Sequence, residues 1–157
     1  TALTTWSGAN AFNDQALSVL ATSATEWAAL RKRLFVQAGI TAEGAPPMDL
    51  DGGLGGIDFA REAVLVVSLG RATNCRGVGL HSAYVAPDRV LVRLNEFTYQ
   101  SSAGFGDQTV EAPIERPWGV FRIPRLGHPG RLIVEHNTQR FIMGPAIWEP
   151  FAEFALP

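Results

Sequence analysis

The stretch AVLVVSL, Ala63 to Leu69, constrains the fold more than any other part of this 157-residue chain. It is apolar at nearly every position and rich in β-branched valine, which suits extended backbone. A strand with one wet face alternates apolar and polar residues; an unbroken run has cover on both faces. The rest of the chain must therefore supply two covering layers for one strand.

One layer is a helix. In SATEWAALRKRLFVQAG, Ser23 or Thr25 can cap the first turn, and Glu26 stands near its positive end. Trp27, Leu30, Leu34 and Phe35 recur at helical spacing on one face. Gly39 is a natural stop. The spacing predicts a helix over roughly 25–36. The other layer is β-structure. VGLHSAYVA and RVLVRLNEFTY flank Pro87-Asp88, a hairpin signal. In the second of these Val90, Val92 and Leu94 share one face, while Leu91, Arg93, Asn95 and Phe97 share the other. WGVFRIP (118–124) is a further strand. RLIVE and RFIMG flank HNTQ, a second hairpin candidate. AIWEPFAEFALP is aromatic and expected to pack back on the body.

These elements predict an α+β fold: an antiparallel sheet, or a small barrel or sandwich, of five to six strands with one N-terminal amphipathic helix. Residues 1–22 show no firm period and read as an N-terminal extension. Residues 23–157 read as a single globular β-rich domain.

Composition removes several classes of function. The formal net charge of -2 gives no bulk attraction to nucleic acid or an acidic membrane. No run approaches 18 apolar residues, so no transmembrane segment is expected. A single cysteine, Cys75, excludes an intrachain disulfide and Cys-rich zinc sites. The start, TALTTWSGANAF, has no initiator Met and no visible signal peptide, as expected of a fragment or a processed mature chain.

Candidate chemistry is sparse. His81, His128 and His136 form no HxH or HExxH pattern, and no metal or cofactor is expected. His81 alternates with Gly79 and Ala83, as a sheet-face histidine would. Cys75 lies between Arg71 and Arg76 in a strand-to-strand connection rather than at a helix start, where a thiol would be activated. Asp49 and Asp51 open like a calcium loop, but Gly53 and Gly55 follow and no Glu stands at position 12. GRATNCRGVG has the glycines of a phosphate loop without its GK[ST]. Gly70 and Gly77 read as backbone relief at a corner, and Asp58 as the start of a tight turn into Ala63–Leu69. The corner from Gly70 to Gly77 is thus expected to be a turn rather than a site.

The order of these elements resembles the PrcB C-terminal-like family. Asp58, Phe59, Glu62 and Gly70 match its "VDF.(K/R)E.vl.v.lG" stretch. Pro117, Trp118, Ile123, Pro124 and Arg125 match its "PY.vv.iPr" strand, with Trp in place of the usual Tyr. The resemblance covers about residues 57–125. Between its two motifs TNCRGVGL replaces a Thr-Gly-Gly-Tyr-like corner, and only Thr73 and Gly77 correspond. The resemblance implies an exported, extracytoplasmic (periplasmic or secreted), non-enzymatic accessory module, with a role in stabilising a protease or other surface complex, and it supplies no catalytic residue. The implied partner is another protein. From the residues, Arg93, Asn95, Phe97 and Tyr99 on one strand face suit protein recognition, and Trp118 or Trp148 suits an interface anchor. The alternative left open is a small enzyme or metal-binding protein using Cys75 and the histidines. Partner identity and oligomeric state are not legible.

Overall fold

The computed structural model describes residues 5–9, 11, 14–35, 56–98, 114–139 and 144–157. Along the chain run β1 (Thr5–Gly8), β2 (Ala16–Ala21), α1 (Ala24–Phe35), β3 (Glu62–Leu69), β4 (Ala72–Thr73) and β5 (Cys75–Ala86). They are followed by β6 (Arg89–Thr98), β7 (Ile114–Glu115), β8 (Trp118–Pro124), β9 (Gly130–Asn137) and β10 (Trp148–Leu156). The fold is α+β, as expected: one helix on a β-rich body.

The Ala63–Leu69 run lies within β3, and it is covered on both faces. The first sheet has the order β1-β8-β3-β2 and is antiparallel throughout. On one face Val64 and Val66 pack with Val120, Trp118 and the buried Trp27 and Leu30 of α1. On the other Leu65 and Val67, with Phe121 and Ile123, meet the second sheet. Strand sides alternate, so two apolar half-patterns interleave into the continuous run. Val64 through Val67 are fully buried.

α1 begins where its cap is best satisfied. The Ser23 carbonyl accepts from Trp27 N–H at 3.0 Å, and Ser23 Oγ accepts from Glu26 N–H at 3.2 Å. Glu26 reaches back to the N–H and hydroxyl of Thr22, a variant of the capping box. The hydrogen bonds from Thr22 hold the Glu26 carboxyl below its ordinary pKa. The side chains of Leu34 and Phe35, and Gly39, lie outside the described residues.

The second sheet has the order β10-β9-β6-β5. The expected hairpin at Pro87-Asp88 joins β5 to β6, with Val85 opposite Val90. The buried Val90, Val92 and Leu94 of β6, with Leu132 and Val134 of β9, face the first sheet. The result is a sandwich of two four-stranded sheets, not a closed barrel, with α1 on the outside of the first.

The structure corrects the expectation at four points. Residues 5–8 and 16–21, read as an extension, are the outer strands β1 and β2 of the first sheet. They escaped notice because edge strands are half-buried and carry a weak period. Among the described residues there are ten strands rather than five to six, two of them only two residues long. The sheet is not wholly antiparallel, because β6 and β9 run parallel, with Arg93 opposite Glu135 and Leu94 opposite His136. Finally, HNTQ is not a hairpin turn: His136 and Asn137 belong to β9, whose hairpin partner is the aromatic tail, β10. Of RFIMG, residues 140–143 lie outside the described residues.

The corner is a turn from Gly70 to Asn74, but Gly77 is not part of it: it lies inside β5, in the register shift between Cys75 and Val78. Gly70 holds φ at +69°, and a side chain there would meet Asp14 O at 2.6 Å, so both backbone and space demand glycine. Asn74 is also left-handed, at φ 56°, a conformation asparagine tolerates better than most residues. Between them β4 makes a short ladder with β7. Asp58 forms the expected turn: its Oδ1 accepts from Ala60 N–H, and its carbonyl accepts from Arg61 and Glu62.

Candidate functional site on the outer face of the second sheet

Among the described residues the first sheet is covered on both faces, by α1 and by the second sheet. The second has an open face, and the alternation in β6 decides what it carries. With Val90, Val92 and Leu94 turned inward, Leu91, Arg93, Asn95 and Phe97 turn outward. Antiparallel pairing sets Tyr84 beside Leu91 and Ser82 beside Arg93. Parallel pairing sets Glu135 on the other side of Arg93.

Arg93 is the centre of this face. Its Nε donates to Glu135 Oε2 at 2.8 Å, and both side chains are more than two-thirds buried. The guanidinium carbon stands 5.1 Å from the centroid of the Trp148 ring and 5.9 Å from that of Tyr84. A guanidinium within about 6 Å of an aromatic face is attracted by the ring quadrupole. His81 packs on the other partner, its ring centroid 4.8 Å from that of Trp148. A bulge between Leu80 and Ser82 turns His81 out of the alternation and onto this face.

Asn137 positions the tryptophan. Its Nδ2 donates to Asn95 Oδ1 at 3.2 Å, while its Oδ1 accepts from the N–H groups of Gln139 and Ile147. One carboxamide thus ties β6, β9 and the approach to β10, and Trp148 lies opposite Asn137 in the ladder. The tip of the Phe97 ring packs over Gly79; a β-carbon on Gly79 would stand 2.1 Å from it. Phe97 and Tyr84 remain about half exposed, at 49% and 54%.

Of the residues singled out from sequence, Arg93, Asn95 and Phe97 therefore share one face. Tyr99 and the 101–108 loop lie outside the described residues. Trp118 does not stand on a surface: it is 4% exposed, packed in the layer between α1 and the first sheet. It is a core residue because its strand is covered on both sides. Tyr84, Glu135 and Asn137 were not foreseen, for only the register of distant strands brings them to Arg93.

Cys75 and the histidines are spread out. Cys75 is buried; its Sγ donates to Gly77 O at 3.4 Å and its N–H donates to Glu115 Oε2. Burial pushes its thiol pKa up, and the charges of Glu96 and Glu115 add to the shift. At neutral pH the thiol is protonated, the less nucleophilic form. His128 sits in the exposed turn before β9, 3.1 Å from Pro129 O. His136 packs on Phe151. With Glu96, Thr98 and 137–139 it lines a cleft of about 390 Å³ at one end of the second sheet. Cys75 lies opposite Thr98, one strand away from that cleft. Among the described residues, no three His, Cys, Asp or Glu side chains are grouped as a metal would require, and no helix is long and apolar enough to cross a membrane.

No protein-family model, curated protein or solved structure matches the chain.

Proposed function

We propose that this chain is an exported, non-enzymatic interaction module that docks another protein on the outer face of its second sheet, as an accessory part of a protease or other surface complex. The observation that carries the reading is Arg93 held between Tyr84 and Trp148 and ion-paired to Glu135. Tryptophan, tyrosine and arginine are the residues that dominate binding energy at protein interfaces. Here they are already fixed in place, so little side-chain freedom is lost on docking. The extracytoplasmic location and the accessory role rest on the resemblance in residues 57–125.

The test is capture from the native source, identification of the partner, and titration with purified components. Arg93→Ala combined with Phe97→Ala is expected to weaken that partner at least about fivefold, the equivalent of 1 kcal/mol, while Tm stays near that of the parent. Undiminished affinity of the double variant would remove this face as the interface.

A further inference from the structure

Strand edges are usually guarded, by charged residues, proline, bulges or a covering segment, because unpaired backbone groups recruit other strands. The outer strands of this sandwich differ in that respect. β10 carries Glu149, Pro150 and Glu153 and is bulged between Pro150 and Ala152. β1 is four residues long and lies against the first half of β5; a β-carbon on Gly77 would stand 3.0 Å from Ser7 Cβ. β2 is uncharged, but its side chains are mostly half-buried. The second half of β5 has none of these protections. Past its bulge, Ser82–Ala86 pairs with β6 alone among the described residues. No Asp, Glu, Lys or Arg occurs from Gly77 to Pro87. Two large apolar side chains are exposed there on opposite faces of the strand, Tyr84 at 54% beside Leu91 and Val85 at 63% beside Val90.

We propose that this edge pairs with the same edge of a second copy, through an antiparallel Ser82–Ala86 ladder centred on Tyr84. A two-fold axis brings one surface against itself, so the segment must tolerate its own reverse. It does. Tyr84 meets Tyr84 of the other copy, Ala83 meets Val85, and Ser82 meets Ala86. Small residues flank the one large aromatic pair, and no like charges are opposed. Aromatic and β-branched cross-strand contacts of this kind are favourable. The two second sheets then form one continuous sheet, and both Arg93 clusters remain open on its outer face. The inference does not depend on the partner-docking proposal.

Purified protein is expected to show a concentration-dependent monomer–dimer equilibrium in sedimentation. Val85→Lys, at an exposed position, sets two like charges on diagonal positions about 7–8 Å apart across the axis and is expected to raise the dimer dissociation constant about threefold or more. Tyr84→Cys is expected to give a disulfide-linked dimer on mild oxidation, since directly opposed β-carbons, about 4.5–5.5 Å apart, need only a small backbone shift to reach the roughly 3.5–4.5 Å that a disulfide spans. The parent, whose Cys75 is buried, should give none. Phe97→Ala, on the docking face but packed over Gly79 rather than against residues 82–86, should leave the equilibrium unchanged, which separates a failure here from a failure of the docking face. A parent that stays monomeric at every concentration, with no Tyr84→Cys cross-link, overturns the proposal. So does a monomer whose 82–86 amides are all slow to exchange, because another segment of the same chain then occupies the edge.

Discussion

The two sheets of this sandwich have four strands each but sit in different surroundings. β3, in the first sheet, has α1 on one side and the second sheet on the other, and Val64 to Val67 are without exposed surface. β6, in the second, has the first sheet on one side only among the described residues, and its outward residues are Leu91, Arg93, Asn95 and Phe97. Burial on both faces leaves a side chain no role but packing. Cover on one face frees every second residue for other uses, and here those positions collect an arginine, an acid, two carboxamides and three aromatic rings.

The sharpest way to break that contrast is a charge in each sheet. Val66→Asp buries an unpaired carboxylate and is expected to cost about 4 kcal/mol or more, a large share of a domain's stability. Leu91→Asp on the outer face of β6 should cost no more than about 1 kcal/mol. Urea denaturation of both reads the difference, and similar losses would mean that the outer face is covered. Gly70→Ala, at the exit of β3, is next. A left-handed φ of +69° and a 2.6 Å approach to Asp14 O make it cost about 2–3 kcal/mol; a neutral effect would show that the corner is loose. Arg93→Ala tests the second sheet. Its ion pair and ring contacts are partly solvated, so unfolding stability should fall by less than about 1 kcal/mol even where partner binding falls more. A larger loss would make the cluster a part of the framework.

The smallest effect concerns the helix that covers the first sheet. Glu26 has its pKa lowered by the Thr22 hydrogen bonds. A carboxylate with a lowered folded pKa stabilises above its unfolded value, about 4.3, and loses that contribution as pH falls through the folded value. Glu26→Gln should therefore lower Tm slightly at neutral pH and have no effect in strong acid. An equal difference at both pH values would place the contribution elsewhere.

Local pattern alone determined a good part of this protein. The apolar run of β3, the Trp27 and Leu30 stripe of α1, the Pro87-Asp88 hairpin and the Gly70 corner are all set by neighbours in the chain. Their physics is side-chain period, capping and backbone sterics within a few residues. The inward and outward faces of β6 follow from the same alternation, so Arg93, Asn95 and Phe97 could be placed on one side before any partner was known. Tertiary structure alone decided the rest. β1 and β2 became strands because β8 and β3 offered them edges. β10 became a strand because Asn137 directs the chain back along β9. Trp118 went to the core and Trp148 to the surface, although both are tryptophans in β-strands, because one sheet is covered twice and the other once. Arg93 and Glu135, 42 residues apart, meet only through the parallel register of β6 and β9. Short-range periodicity reports which way a side chain points; it holds no information about which distant strand lies beside it, and that neighbour assembles the cluster.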